Sequence, residues 1–146
     1  MTNVISIVLL IVMLGILIFV HEFGHFFLAR RNGITVTEFS IGMGPKIVSR
    51  VRKGTRFSLR WIPFGGYCSM LGNASDFAAE TPDGEEEIAK DDEHSYTNKN
   101  VWQRISVTLA GPFFNFLLAL LLAFLLVALV GTTDTTLAGV SEGYPA

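Results

Sequence analysis

Residues 4–29 read VISIVLLIVMLGILIFVHEFGHFFLA, an apolar run in which His21, Glu22 and His25 are the only ionisable side chains. A helix of this length rises about 39 Å, which is enough to cross the roughly 30 Å hydrocarbon core of a bilayer. The run lacks the basic start and the small-residue cleavage pattern of a secretory signal peptide. We therefore predict a membrane-spanning helix over residues 1–30 that carries three ionisable side chains at membrane depth.

A second apolar run lies between about Ile105 and Val130, and half of all residues are hydrophobic while only 16% are charged. Two runs of this length exclude an ordinary soluble domain. We predict an α-helical multi-pass membrane protein, with a second transmembrane helix over residues 104–131 and a cytoplasmic, membrane-associated β-hairpin region between the two helices. The lipid bilayer is an expected partner, and nucleic acid is not.

Basic residues are confined to the middle of the chain. Eight of the eleven lie between Arg30 and Arg60, the other three are Lys90, Lys99 and Arg104, and neither end has any. By the positive-inside rule, the central segment faces the cytoplasm and both ends of the chain lie outside it. The ionisable triplet of the first span then lies near the cytoplasmic face, where water can reach it.

His21, Glu22 and His25 form the pattern H-E-x-x-H. On a helix the two histidines lie at i and i+4, so both imidazoles leave the same face and can bind one divalent metal, with Glu22 near enough to act as a general base. A chance match is the alternative, but ionisable groups at membrane depth are costly and indicate a functional site. We predict a Zn²⁺ site with His21 and His25 as ligands and Glu22 as the catalytic base.

Residues 31–72 have the pattern of a β-sheet. Apolar and polar side chains alternate over residues 56–61, after the turn sequence RKGT at 52–55. This predicts a β-hairpin, and a further short strand over Tyr67–Leu71 after a bend at Pro63–Gly66. A ribbon with apolar side chains on one face and arginines on the other would suit the lipid headgroups, and an ordinary small cytoplasmic sheet fits the composition equally well.

Residues 73–103 are predicted to be an acidic linker and the approach to the second span. Nine carboxylates lie between Asn73 and Glu93 against a single lysine, a composition typical of a solvated, mobile segment. Cys68 is the only cysteine, so the chain has no internal disulfide and no thiolate zinc cluster. Packing within a strand is its expected role.

Small or polar residues recur every four positions in the second span, at Gly111, Asn115, Ala119 and Ala123. Such a stripe lets two membrane helices approach closely, and it turns the Asn115 carboxamide toward the neighbouring helix rather than lipid. Pro112 opens the helix locally unless the helix begins there. The spacing by itself favours simple helix packing, with Asn115 as an interhelical contact, over a functional role.

Five blocks of sequence follow one another along the chain. They are HEFGH at 21–25, EFSIGMGP at 38–45, PFGGY at 63–67, NKNVWQR at 98–104 and AGPFFNF at 110–116. In order, spacing and membrane placement these blocks resemble the site-2 proteases, and most closely the bacterial regulator-of-sigma-E branch of these RIP metalloproteases. The resemblance implies a zinc-dependent endopeptidase that cleaves transmembrane segments within the bilayer, that is, regulated intramembrane proteolysis.

The resemblance also implies roles for individual residues. His21 and His25 would be zinc ligands and Glu22 the base, while a membrane-associated β region would hold an unwound substrate as an added strand. The implied partners are transmembrane substrates such as membrane-anchored anti-sigma factors or remnant signal peptides, in the cytoplasmic membrane of a bacterium. The implied substrate-binding residues are Asn115, Gly65, Gly66 and Tyr67.

The chain departs from the family pattern in its length. The family's third zinc ligand is an aspartate on a later transmembrane helix; no Asp, Glu or His lies within the second span, and Asp134 falls at the opposite membrane face from His25. Residues 132–146 look like the start of the family's extracytoplasmic PDZ domain. We therefore expect the sequence to be an amino-terminal fragment that, alone, binds zinc weakly and cleaves no peptide.

Two other classes of function are open. A membrane adaptor or pseudoprotease would bind transmembrane partners without cleavage, but it has no use for the intact base Glu22. A transporter or channel fragment could use His21 and Glu22 for ions or protons, but two spans with a sheet between them do not resemble an inverted repeat.

Overall fold

The computed structural model describes residues 2–73 and 92–131. Helix α1 (Thr2–Arg31) is followed by strands β1 (Val36–Arg52) and β2 (Thr55–Met70), a short 3-10 helix (Tyr96–Asn98) and helix α2 (Val101–Val130). The predicted arrangement of two apolar helices on either side of a β-hairpin is confirmed. Most of the predicted acidic linker and the predicted start of a PDZ domain lie outside the described residues.

Both helices are long and apolar enough to cross a membrane. No side chain in the most apolar window of either helix is buried, and large apolar side chains such as Leu10 and Leu129 are 67% and 82% exposed. Exposed apolar surface of this extent indicates a membrane or a partner protein as the surrounding medium. The outward faces of α1 and α2 are therefore suited to lipid.

The hairpin turn lies where the sequence predicted it. Arg52 pairs with Thr55, and the two residues between them, Lys53 and Gly54, have φ of 51° and 80°. Positive φ at both central positions is the signature of the type I′ turn that joins two antiparallel strands tightly.

The strand expected after a bend at Pro63–Gly66 is not separate from β2, although the chain does bend there. β2 continues through this stretch to Met70, with Gly65 at φ 84° and several shifts in register against β1. Two segments of β2, residues 56–59 and 66–70, flank the same part of β1: Phe39, for example, pairs with both Phe57 and Cys68. The result is a sheet wider than a simple two-strand ribbon.

The buried core lies where the base of this sheet meets the two helices. Cys68 is 6% exposed within it, in agreement with its expected packing role in a strand. Phe26 of α1 packs edge-on against both Phe39 and Phe57, which ties the helix to the sheet. The buried cluster consists of Ala29, Ile34, Val36, Phe39, Cys68, Met70 and Val107.

Helix α2 begins four residues before Ile105. The Asn100 side chain accepts a hydrogen bond from the Trp102 N–H, and Gln103 Oε1 accepts one from the Asn100 N–H, which together form a capping box. Pro112 therefore lies inside the helix and does not start it. Since proline has no N–H, it cannot donate to the Thr108 carbonyl four residues earlier.

Only the first part of the predicted small-residue stripe faces α1. Gly111 is buried and Asn115 partly buried, whereas Ala119 and Ala123 are exposed. Residues four apart on a helix are offset by roughly 40°, so a stripe with this spacing turns away from a straight neighbour over three steps. The close contact between the helices is confined to the end of α2 nearer the sheet.

Gly24 makes that close contact possible. A methyl group at Gly24 would lie 2.6 Å from the Ala110 carbonyl oxygen and 3.1 Å from Phe114 Cγ. We expect Gly24→Ala to lower the free energy of unfolding by about 1–3 kcal/mol, because it overpacks a backbone contact. Thermal unfolding in detergent measures this loss. Gly15→Ala on the same helix, with no neighbouring atom within 4 Å, is the matched control, and an equal loss in both variants would contradict the account.

Candidate metal centre

The two histidines of α1 converge on a single point of α2. A methyl group built at Gly111 would lie 2.6 Å from His21 Nε2 and 2.5 Å from His25 Nε2. The imidazole rings are 4.9 Å apart between centroids and nearly perpendicular, at 76°. Because Gly111 has no side chain, a space remains between both Nε2 atoms and the α2 backbone. We call this space the Gly111 gap.

The tautomer of a neutral His25 follows from its contact with α2. His25 Nδ1 lies 2.8 Å from the Val107 carbonyl oxygen, which can only accept a hydrogen bond. Nδ1 must therefore carry the proton, and Nε2 keeps its lone pair directed toward the Gly111 gap. Histidine ligands of zinc are held in this way, with the outer nitrogen donating to a carbonyl or carboxylate.

His21 has its own polar neighbour on α2, Asn115. One amide atom of Asn115, placed as Nδ2, lies 3.2 Å from His21 Nδ1, and the other, Oδ1, is buried with no hydrogen-bond partner among the described residues. The family resemblance implied that Asn115 binds the substrate. The structure places it against a predicted zinc ligand.

Two imidazoles with Nε2 atoms directed into one gap fit two positions of a tetrahedral zinc site. Within residues 2–73 and 92–131, no group of three His, Cys, Asp or Glu side chains is close enough to hold a metal ion. A catalytic zinc takes three protein ligands and keeps its fourth position for water or substrate. The described residues thus contain two convergent histidines and no third candidate ligand beside them.

Glu22 lies beside the pair, in a cleft of about 280 Å³ between α1, β2 and α2. His25, Gly66 and Tyr67 also line this cleft. A methyl group at Gly66 would lie 3.2 Å from Glu22 Cγ and 2.9 Å from the Ser40 carbonyl oxygen, so glycine lets β2 run close to the carboxylate. The predicted base and two of the predicted substrate-binding residues therefore share one cleft.

Gly65 and Asn115 do not line that cleft. Gly65 faces the Met43 side chain, where a methyl group would lie 2.7 Å from Met43 Cε, and its φ of 84° belongs to the left-handed region that favours glycine. Its role in this structure is to let β2 bend toward Gly66.

A polar network beneath the cleft was not predicted. The predicted alternation grouped Arg60 with the other arginines on one face, in either a headgroup ribbon or an ordinary small sheet. Its side chain is instead only 13% exposed and points inward. It donates to Glu38 Oε1 at 3.2 Å, to the Gly44 carbonyl at 2.7 Å and to Tyr67 Oη. Ser58 Oγ also donates to Glu38 Oε1, at 2.5 Å. The network fixes Tyr67, which lines the cleft, to the core of the hairpin.

Burial alone would raise the pKa of the Glu38 carboxyl. Hydrogen bonds from Ser58, Tyr67 and Arg60, with the charge of Lys46, outweigh burial and hold this pKa below its ordinary value. Burial raises the pKa of the Tyr67 phenol, and the negative charge of Glu38 raises it further. Tyr67 therefore remains a protonated donor beside the cleft.

The lowered pKa of Glu38 predicts an acid-dependent stability. The ionised carboxylate stabilises the fold at pH above its ordinary pKa of 4.5, and this contribution is lost as the pH falls below 4.5 and through the lower folded-state pKa. We expect Glu38→Gln to lower the free energy of unfolding by about 1–3 kcal/mol at pH 7 and to remove this part of the acid dependence.

Thermal unfolding of the two proteins in detergent between pH 7 and pH 3 measures both effects. Glu93→Gln, at a side chain that is 88% exposed, is the matched control. An acid dependence that is the same in wild type and Glu38→Gln would show that the network does not stabilise the hairpin in this way.

The sequence is similar to that of a known peptidase family and to several of its named members. The sequence profile described as peptidase family M50 matches residues 9–144. The chain is 44% identical over 128 residues to "Protease RseP" of Yersinia pestis and 42% identical over 122 residues to "Regulator of sigma-E protease RseP" of Salmonella typhimurium. It is 38% identical over 141 residues to a Clostridium acetobutylicum protein named "putative zinc metalloprotease".

These alignments cover most of the chain and a minor part of each relative. They include 86%, 83% and 97% of this chain, in the same order, but only 26%, 25% and 38% of the relatives' lengths. The relatives' names agree with the predicted zinc cofactor and with the predicted resemblance to the regulator-of-sigma-E branch.

Proposed function

Since this chain belongs to peptidase family M50, we propose that it carries the catalytic motif of a zinc-dependent endopeptidase that cleaves transmembrane segments within the bilayer. The observation that carries the proposal is the convergence of His21 Nε2 and His25 Nε2 on the Gly111 gap, with Glu22 in the adjoining cleft. A binding protein without chemistry has no need for two histidines that converge on one point beside a carboxylate.

Each residue has a distinct part in the proposed reaction. The chemistry that zinc supplies when bound is Lewis-acid polarisation of the scissile carbonyl and acidification of the attacking water. His21 and His25 hold the ion, and the Val107 carbonyl keeps His25 in the correct tautomer. Glu22 accepts the proton of the attacking water and returns it to the leaving amine.

The third protein ligand is proposed to be a carboxylate from outside residues 2–73 and 92–131. The described residues contain no candidate group of three ligands, and catalytic zinc sites with three protein ligands are the rule. On this proposal the isolated 146-residue chain binds zinc weakly and cleaves no peptide. We also retain the proposal that residues 132–146 begin a PDZ domain.

The substrate is proposed to bind as an extended strand. A helical peptide bond hides its carbonyl within the helix, so a transmembrane substrate must unwind before water can attack. Residues 66–70 pair with β1 along one edge, and Gly66 on this segment lies against Glu22. An unwound peptide that added as a strand along the other edge of residues 66–70 would lie beside Glu22, the proposed base. Gly65, Gly66 and Tyr67 are thus proposed to shape the substrate site.

The protein is proposed to reside in the bacterial cytoplasmic membrane. Both apolar helices are long enough to span it. By the positive-inside rule, the basic residues between the helices favour a cytoplasmic hairpin with both ends of the chain outside the cytoplasm. The proposed substrates are transmembrane proteins such as membrane-anchored anti-sigma factors or remnant signal peptides.

Reconstitution of the full-length protein with a model single-span substrate tests the proposed function. We expect cleavage inside the span of the substrate, its loss on treatment with a zinc chelator and its recovery when Zn²⁺ is added back. Cleavage that persists in the chelated protein, or a cut confined to the loops outside the bilayer, would refute the proposal.

A further inference from the structure

We propose that Asn115 is a positioning residue for the metal centre: its Oδ1 accepts the Nδ1 proton of His21 and so directs the His21 Nε2 lone pair into the Gly111 gap. This inference rests on the proposed zinc function. It assigns to Asn115 a role distinct from the substrate binding that the family resemblance implied.

The observation that carries it is the pairing of one atom of the Asn115 carboxamide with His21 Nδ1 at 3.2 Å. If that atom were the amide nitrogen, it would donate to Nδ1, and the neutral imidazole would carry its proton on Nε2. This proton would point into the Gly111 gap, because His21 Nε2 is the atom that lies 2.6 Å from the methyl position at Gly111. A protonated Nε2 cannot bind a metal ion.

Rotating the carboxamide by 180° exchanges its oxygen and nitrogen and leaves the rest of the chain in place. Oδ1 then accepts from Nδ1–H, and Nε2 gains a free lone pair. As placed, the buried atom of Asn115 without a hydrogen-bond partner is Oδ1, and after rotation it is Nδ2. Either atom is buried without a partner, so the free-energy cost is similar in the two orientations. The requirement of the metal for a lone pair on Nε2 therefore decides between them.

The same logic already holds for His25, whose Nδ1 must donate because the Val107 carbonyl can only accept. The two outer partners and the glycine between them come from one face of α2, at Val107, Gly111 and Asn115, which are spaced four positions apart. The four-residue spacing that suggested simple helix packing thus has three consequences on α2. Val107 orients His25, Gly111 leaves room for the ion, and Asn115 orients His21.

Two variants of Asn115 separate this role from others. Asn115→Leu removes both polar atoms at similar volume, whereas Asn115→Asp keeps the acceptor and removes the donor. In the full-length protein, purified in detergent, zinc affinity is measured by competition with a chromophoric chelator. We expect Asn115→Leu to lose about 10–100-fold in zinc affinity. Asn115→Asp should bind zinc as tightly as the wild type or more tightly, because a carboxylate accepts the same proton.

Asn32→Leu is the matched control, since the Asn32 amide, one residue beyond the end of α1, also bonds to α2 by donating to Ser106 Oγ at 3.0 Å. It should leave zinc affinity unchanged. Unchanged affinity in Asn115→Leu with a raised KM would overturn the positioning role in favour of substrate contact alone. An equal loss in Asn115→Asp and Asn115→Leu would overturn the proposed orientation. A wild-type protein that binds no zinc would instead refute the proposed function.

Discussion

Replacement of Gly111 by alanine is expected to lower the zinc affinity of the full-length protein by about 100-fold or more. Zinc binds imidazole nitrogen at about 2.0–2.1 Å. The methyl group of Gly111→Ala would lie 2.6 Å from His21 Nε2 and 2.5 Å from His25 Nε2, in the space that the ion needs. Either the ion is excluded or both imidazoles must move, and their contacts with Val107 and Asn115 resist that movement.

Gly15→Ala is the matched control, because a methyl group there meets no atom within 4 Å. Circular dichroism of both variants checks that the helices are retained, and chelator competition measures the affinity. Wild-type zinc affinity in a folded Gly111→Ala protein would show that the ion does not lie in the Gly111 gap.

Replacement of Glu22 by glutamine is expected to reduce the rate of intramembrane cleavage by about 10²–10⁴-fold while zinc remains bound. The glutamine amide has nearly the same shape as the carboxylate but cannot accept the proton of the attacking water. His21 and His25 are unchanged in this variant, so the metal content should equal that of the wild type. The uncut substrate should accumulate in complex with the variant.

Glu93→Gln, at an exposed carboxylate far along the chain, is the control for this second experiment and should cleave normally. Retained turnover by Glu22→Gln would remove Glu22 from the role of base. Loss of zinc from that variant would instead give the carboxylate a part in holding the metal site together.

Features that depend on local spacing were predicted well. The two histidines share a face because i and i+4 always do so on a helix, and the I′ turn follows from Lys53 and Gly54 between two alternating segments. The lengths of the two apolar runs were enough to predict both helices.

Features that depend on the approach of distant segments were not predicted. The carbonyl of Val107 meets His25 only because α2 packs against α1 at Gly24, and the gap at Gly111 exists only in that packing. The inward turn of Arg60 depends on the register that sets Glu38 opposite Arg56, on the same face of β2 as Arg60. Alternation along one strand gives no information about the partner strand.

The helix start and the continuity of β2 were missed for a different reason. The capping box at Asn100 and Gln103 lies in a polar segment that hydropathy does not separate from the linker before it. The glycines near Gly65 were interpreted as the end of the strand. In the structure β2 continues through them, with a shift in its register against β1.

The zinc content of the purified full-length protein tests the central claim most directly. Elemental analysis of the detergent-purified wild type should find one zinc ion per chain, while a protein with both His21→Ala and His25→Ala should contain none. The control His94→Ala, at a half-exposed histidine outside the helices, should retain the full complement. A wild type without stoichiometric metal, or a double variant that keeps its zinc, would contradict the account.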